Sequence, residues 1–232
     1  MVATHLITGA GSGIGRLAAE RLHARGDHLV LVARSAARAA DLGGAFPGST
    51  VVVADLADPS SIAPAFSREG AVPGRVDSLV HAAGVVALGP VAELPLDAWQ
   101  AQLAVNLLAP AELTRVLLPR VRAARGQVLF VNSGAGLHAH PDWSAYAASK
   151  HGLKALADAL RAEEAPHGVR VTSIYPGRTA TPMQQEVHAQ EGAEYDPSRS
   201  IDPSSVVAVI LAALDLPRDA VISDLTVRPG VR

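Results

Sequence analysis

The chain has 232 residues, 49% of them hydrophobic, with a formal net charge of −2 and no cysteine. That length holds one full core and leaves little for a second domain of ordinary size. The near-neutral charge, without any basic run, gives no case for nucleic acid or an anionic membrane surface as partner, and the missing cysteines exclude disulfides, thiolate metal ligands and a cysteine nucleophile.

The opening MVATHLITGAGSG lacks a basic n-region, and no apolar stretch approaches the roughly 18 residues of a membrane span. A soluble, cytoplasmic protein is expected. HLIT reads as a first strand. It runs into Thr8-Gly9-Ala10-Gly11-Ser12-Gly13-Ile14-Gly15 and then a helix over 13–25. Glycines let a backbone turn tightly and approach a ligand, and a helix start offers free N–H groups to a diphosphate. A merely flexible turn is the plainer reading of the same residues. HLVLVA (28–33) is the second strand. A dinucleotide fold often ends this strand on a carboxylate that holds the ribose 2′-OH of NAD. Here Ala33 and Arg34 stand there, and a guanidinium suits a 2′-phosphate. NADP(H) is therefore favoured over NAD(H), although Arg34 also reads as one ordinary surface arginine among many.

A helix over 35–42, a strand over 50–55 and a helix over 59–69 follow, the last opened by Asp58-Pro59 as cap and first helical residue. VDSLVHAA (76–83) is a strand and 97–124 a long helix. Asn106 lies inside that helix, where asparagine has no propensity advantage, so a polar network must satisfy it. QVLFVNS (127–133) brings Ser133 to a strand's C-terminal end, where open α/β sheets bind ligands.

The helix over 144–165 begins SAYAASK. Tyr146 is one of three tyrosines and Lys150 one of only two lysines. Four residues apart on a helix, they share a face. A nearby ammonium is expected to lower the phenol's pKa and so fit it for general acid–base work on a carbonyl or alcohol. A strand over 169–175, a helix over 203–215 started within Ser200–Pro203, and a strand over 220–227 complete the chain, with Gly26 and Gly168 as helix stops. The polar, irregular stretch 178–202 suits a lid. Strands alternating with helices, and strands apolar almost throughout, imply a doubly wound parallel sheet of about seven strands with helices on both faces. Domain and chain then coincide, 1–232.

Other residues carry weaker signals. His138, His140 and Trp143 read as pocket or surface residues, and no metal site is expected because a third ligand is missing. Leu88, Met183, Val187 and Tyr195 read equally as pocket lining and as packing. Glu163, Glu164 and Asp97 read as solvated helix faces.

Taken together, TGAGSGIG, Asp55 after the third strand, HAAG at 81–84, Asn106, Ser133, YAASK at 146–150 and PGRTAT at 176–181 resemble a short-chain dehydrogenase/reductase over essentially the whole chain. The resemblance implies a Rossmann-type fold and hydride transfer between a nicotinamide cofactor and a small carbonyl or alcohol substrate. It implies Tyr146 as acid/base and Ser133 as the group orienting the substrate oxygen. Lys150 would hold the nicotinamide ribose and depress the tyrosine, and Asn106 would keep a water-linked proton path to the lysine. Gly9, Ser12, Gly13, Ile14 and Gly15 would bind phosphate. Asp55 and Leu56 would contact adenine, Ala83 and Gly84 would lie beside the cofactor, and Gly177, Thr179 and Thr181 would contact carboxamide and diphosphate. His81, Asn132 and Thr179 depart from the usual pattern. Apolar faces on the two long helices, with the resemblance, imply a homo-oligomer, tetramer or dimer. The competing reading is an NADP(H)-binding regulatory or structural protein without turnover.

Overall fold

Seven strands lie parallel in the order β3-β2-β1-β4-β5-β6-β7 in the computed structural model, which describes residues 2–68 and 72–230. They are β1 (Thr4–Thr8), β2 (His28–Ala33), β3 (Thr50–Val53), β4 (Ser78–His81), β5 (Gln127–Val131), β6 (Arg170–Pro176) and β7 (Asp224–Val227). The helices are α1 (Gly13–Ala24), α2 (Ala36–Ala45), α3 (Ile62–Phe66), α4 (Leu96–Leu103), α5 (Ala109–Ala124), α6 (Ser144–Glu164), α7 (Pro182–Gln190) and α8 (Pro203–Asp215).

Side chains alternate faces along a strand, and this sheet is apolar on both. Leu6, Val30, Leu79, Val128 and Phe130 pack against α3, α5 and α6. Their neighbours Ile7, Leu31, Val80, Leu129 and Val131 pack against α1, α2 and α8. Each fully buried aliphatic side chain contributes about 1.5–3 kcal/mol relative to exposure. The strands therefore read as continuous apolar runs because neither face meets water. The chain leaves β3 at the sheet edge and returns to β4 beside β1, so a crevice opens between the C-terminal ends of β1 and β4.

Caps stand where the sequence places them. Asp58 accepts from Ser60 N (3.1 Å) and Asp202 from Ser204 N (2.8 Å). Gly26 and Gly168 take the left-handed conformation, at φ 81° and 71°. The predicted helix at 59–69 is a 3-10 turn over Pro59–Ser61 followed by α3, and position 69 lies outside the described residues.

Three expectations are corrected. The helix predicted over 97–124 is broken by a π-turn at Ala104–Leu108, which contains Asn106. The irregular lid contains a regular helix, α7, capped by Thr181 and started by Pro182. Glu164 is not a solvated residue: it is 1% exposed and takes a bidentate pair from Arg122, which holds its carboxyl below the usual range. No helix among the described residues is long and apolar enough to cross a membrane.

His81, at the inner end of β4, hydrogen-bonds Thr114 Oγ1 (2.9 Å) and stacks on Phe130 at 4.9 Å. Burial lowers its pKa to about 3. As pH falls from about 6.5 the unfolded chain takes up a proton that the folded ring refuses, so stability drops by up to ~1.4 kcal/mol per pH unit until about pH 3. Urea unfolding at pH 7 and pH 4 should therefore show a smaller acid-induced loss for His81→Asn than for the wild type; equal losses would contradict this placement of His81.

Candidate active site

The glycine turn after β1 is shaped by close backbone approach. A Cβ on Gly9 (φ 74°) would sit 2.7 Å from Ala83 N, and one on Gly15 would sit 2.5 Å from Gly9 O. Thr8 Oγ1 accepts from Ala82 N and Ala83 N (both 3.1 Å), so the turn and the 81–84 loop form one wall. Ser12 is the N-cap of α1 and caps it with no side-chain hydrogen bond. Across the crevice, Thr181 Cγ2 lies 3.3 Å from where a Gly13 Cβ would be. Thr179 Oγ1 donates to Gly177 O (3.0 Å) and Thr181 Oγ1 to Thr179 O (3.3 Å), fixing the segment that leads to α7.

Between these walls lies a cavity of about 1160 Å³. It is lined by Gly9, Ser12, Gly13, Ile14, Arg34, Asp55, Leu56, Ala83, Gly84, Ser133, Tyr146, Lys150, Gly177, Thr179 and Thr181. Two predicted site residues stand behind this lining. Gly15 lets α1 pack on the backbone of Gly9, and Asn106 lies one layer deeper. A volume above the range of ordinary ligand pockets and a glycine cradle at a helix start fit a dinucleotide. Residues of the turn and of 177–181 would hold its diphosphate, and Arg34 would face its adenosine end.

Ser133 follows β5 in extended backbone and caps a short 3-10 turn, its Oγ accepting from Ala135 N (3.2 Å). Asn132 ties this turn to α6, for its Oδ1 accepts from Ser133 N (2.9 Å) and its Nδ2 donates to Lys150 O (3.2 Å). A side chain at Gly136 would strike Asn132 Oδ1 at 2.6 Å. Asn132 is thus a positioning residue. The sequence offered it only as a departure from a motif.

Tyr146 and Lys150 rise from the first two turns of α6. Both are buried, and Lys150 Nζ sits 5.7 Å from the phenol ring centre. Lys150 Nζ donates to Val131 O (3.2 Å). Burial lowers its pKa to about 8. Burial also raises the Tyr146 phenol above its ordinary value, and a hydrogen bond with the Ser133 side chain pulls the other way. The expected depression of the phenol by Lys150 is therefore corrected. Desolvation of the phenolate outweighs the neighbouring groups, and the opposing pull comes from Ser133.

Asn106 is satisfied on both sides. Its Oδ1 accepts from Val85 N (2.9 Å), and its Nδ2 donates to Val85 O (2.9 Å) and Ser149 Oγ (3.0 Å). Ser149 Oγ in turn donates to Tyr146 O (2.7 Å). A π-turn widens the backbone locally, a device common at functional sites, and here it turns Asn106 toward the 81–85 loop. Both Asn106 Oδ1 and Lys150 Nζ come within 4 Å of where a Gly84 Cβ would be, at 3.3 and 3.8 Å.

Beside Ser133 and Tyr146 the cavity carries an apolar cluster. Val86, Ala135, Ala147 and Val187 pack around the phenol, with Leu88, Trp143 and Met183 at the margin. Trp143 meets Tyr146 edge-on at 5.7 Å. His138 and His140 also line the space. Tyr195 instead packs on His188 at 5.3 Å. Sequence reasoning passed over Arg38, Arg178, Glu191 and Arg228, all of which line the cavity. Only Arg38 carried a signal, being spaced around the Ser35 cap of α2 with Arg34.

Comparison with known proteins agrees with this architecture. The family model for short chain dehydrogenases matches residues 3–192. The chain is 35% identical to bovine dehydrogenase/reductase SDR family member 7B over 236 aligned positions, covering 94% of this chain and 73% of that one. It is 34% identical to oxidoreductase UcpA of Escherichia coli O157:H7, covering 93% and 81%. Among solved structures, a Beutenbergia cavernae protein with bound NADP at low occupancy, described provisionally as an NAD(P)-dependent gluconate 5-dehydrogenase, superposes with a TM-score of 0.86 at 30% identity, covering 98% and 96%. The 3-ketoacyl-(acyl-carrier-protein) reductase of Brucella melitensis complexed with NADH does so with 0.85 at 25% identity, covering 98% and 97%. The chain belongs to the short-chain dehydrogenase/reductase family, whose members are NAD(P)(H)-using oxidoreductases acting on CH–OH and C=O groups.

Proposed function

We propose that this protein is an NADP(H)-dependent carbonyl reductase in which Tyr146 is the proton donor. The observation that carries the reading is the convergence of Ser133, Tyr146 and Lys150 in one cleft facing the glycine turn. When bound, the cofactor supplies the hydride. A phenol held above its ordinary pKa keeps its proton at neutral pH, so Tyr146 is poised to give it to a carbonyl oxygen. Ser133 holds that oxygen beside the phenol. Lys150, which loses a proton near pH 8, stands one helical turn away to renew the supply, and Asn106 flanks it near Gly84. The oxidative direction runs through the same groups in reverse.

The preference for the 2′-phosphorylated cofactor rests on Arg34. It lines the cavity and has no ion pair or side-chain hydrogen bond among the described residues, whereas Arg38 beside it is shared with Asp41 (3.1 Å). A regulator without turnover needs no serine hydroxyl, phenol and ammonium in one cleft. The whole chain acts as one catalytic domain, with 178–202 as the substrate lid. It works as a homo-oligomer, tetramer or dimer, and Val91, Leu96 and Leu108, all more than half exposed, supply apolar surface for pairing.

Two variants test this. Tyr146→Phe should lose roughly 10²–10⁴-fold in NADPH-dependent ketone turnover with its NADPH Kd intact; retained turnover would refute the role. Arg34→Ala should raise the KM for NADPH about tenfold, the worth of one lost charge-assisted contact, and leave that for NADH nearly unmoved; equal shifts for both cofactors would refute the assignment of Arg34.

A further inference from the structure

The cavity has an unpaired arginine at each end. Arg34 follows β2, and Arg228 follows β7, five strand spacings away, roughly 24 Å. One molecule of cofactor places its phosphates near the first. Nothing in the proposed reaction uses the second.

Arg228 reaches the cavity by topology. The end of β7 is clamped to the end of β6, where Gly177 N donates to Val227 O (2.8 Å). This sets residue 228 above the C-terminal end of the sheet. Its guanidinium then lies across the turn after Ser133, with Nη1 2.6 Å from where a Cβ on Gly134 would be. Arg228 has no ion pair or side-chain hydrogen bond among the described residues.

The other charges at this end are already committed. Arg178 is matched by Glu191 in a bidentate pair (2.7 and 2.8 Å). Lys150 is turned to Val131 O. Among the described residues Arg228 is therefore the one permanent cation left free beside Ser133, on a lining that mixes apolar side chains with His138, His140 and Gln184. A planar guanidinium in such surroundings matches a carboxylate through two parallel hydrogen bonds. A single positive charge balances a monoanion and leaves a phosphate dianion half compensated.

We infer that Arg228 is a specificity-determining residue that selects carbonyl substrates bearing a carboxylate, the oxygen to be reduced resting on Ser133 and the carboxylate on the guanidinium. This rests on the reductase reading for its chemistry, but its core is a binding claim.

The test uses 2-oxo and 3-oxo acids of four to eight carbons beside their methyl esters. Binding is followed by quenching of the cavity tryptophan, Trp143, and turnover by NADPH oxidation. Wild type should favour the best acid over its ester by roughly 10–100-fold, the range of one charge-assisted pair. Arg228→Gln should abolish that preference while leaving NADPH affinity unchanged, and Arg228→Lys should keep part of it. Acid binding that depends on Arg228 without any NADPH oxidation would sink the reductase reading and sustain this one. Turnover of acids and esters alike, an undiminished preference in Arg228→Gln, or no acid binding to wild type would overturn it.

Discussion

An ammonium buried under the end of a parallel sheet is the constraint on which this site depends. Lys150 has given up its water for one carbonyl, Val131 O, and the neighbourhood of a phenol. Such a group is costly to bury, and the cost appears as a pKa brought down to about 8. The arrangement around it prevents escape. Asn132 fixes the backbone carbonyl of Lys150 to the Ser133 turn, and Asn106 braces α6 through Ser149. The lysine and the serine are thereby parts of one rigid unit, with Tyr146 between them.

The burial that troubles the lysine acts on the phenol in the opposite sense. A buried phenolate is disfavoured as a buried ammonium is, so one value rises while the other falls. From ordinary positions near 10 and 10.5 the two values cross and move apart, leaving the phenol as the weaker acid. In the proposed reaction, a neutral phenol beside an ammonium that loses its proton near pH 8 favours delivery to a carbonyl oxygen. The electrostatics thus follow from where α6 meets β5, through the packing of Val86, Ala135 and Ala147 around the ring.

The sheet and its helices were legible because their signals are periodic. Both faces of β1, β2 and β5 are covered, so their runs of apolar residues had one sensible reading. The site residues were legible because each belongs to a short motif at a strand end or helix start. What escaped had no local signature. α7 buries only Gln184 and Val187, so no apolar stripe marked it, although Thr181-Pro182 spelled its start. The π-turn depends on how Asn106 meets the 81–85 loop, a contact between distant segments. His81 read only as a departure from the usual pattern; its partners Phe130 and Thr114 stand on other elements. Arg228 reaches the site only because β7 pairs with β6, and no spacing in the sequence announces that.

The chain's shortage of lysine makes the central claim directly measurable. Selective ¹³C labelling of lysine Cε yields two NMR signals, from Lys150 and from Lys154, which is paired with Asp158 on the surface of α6 (2.5 Å); Lys154→Arg assigns them. A pH titration should show Lys150 losing its proton near pH 8. If Lys150 instead titrates with an ordinary lysine's midpoint near 10.5, the ammonium is not desolvated, and the account of how this cleft handles protons is wrong.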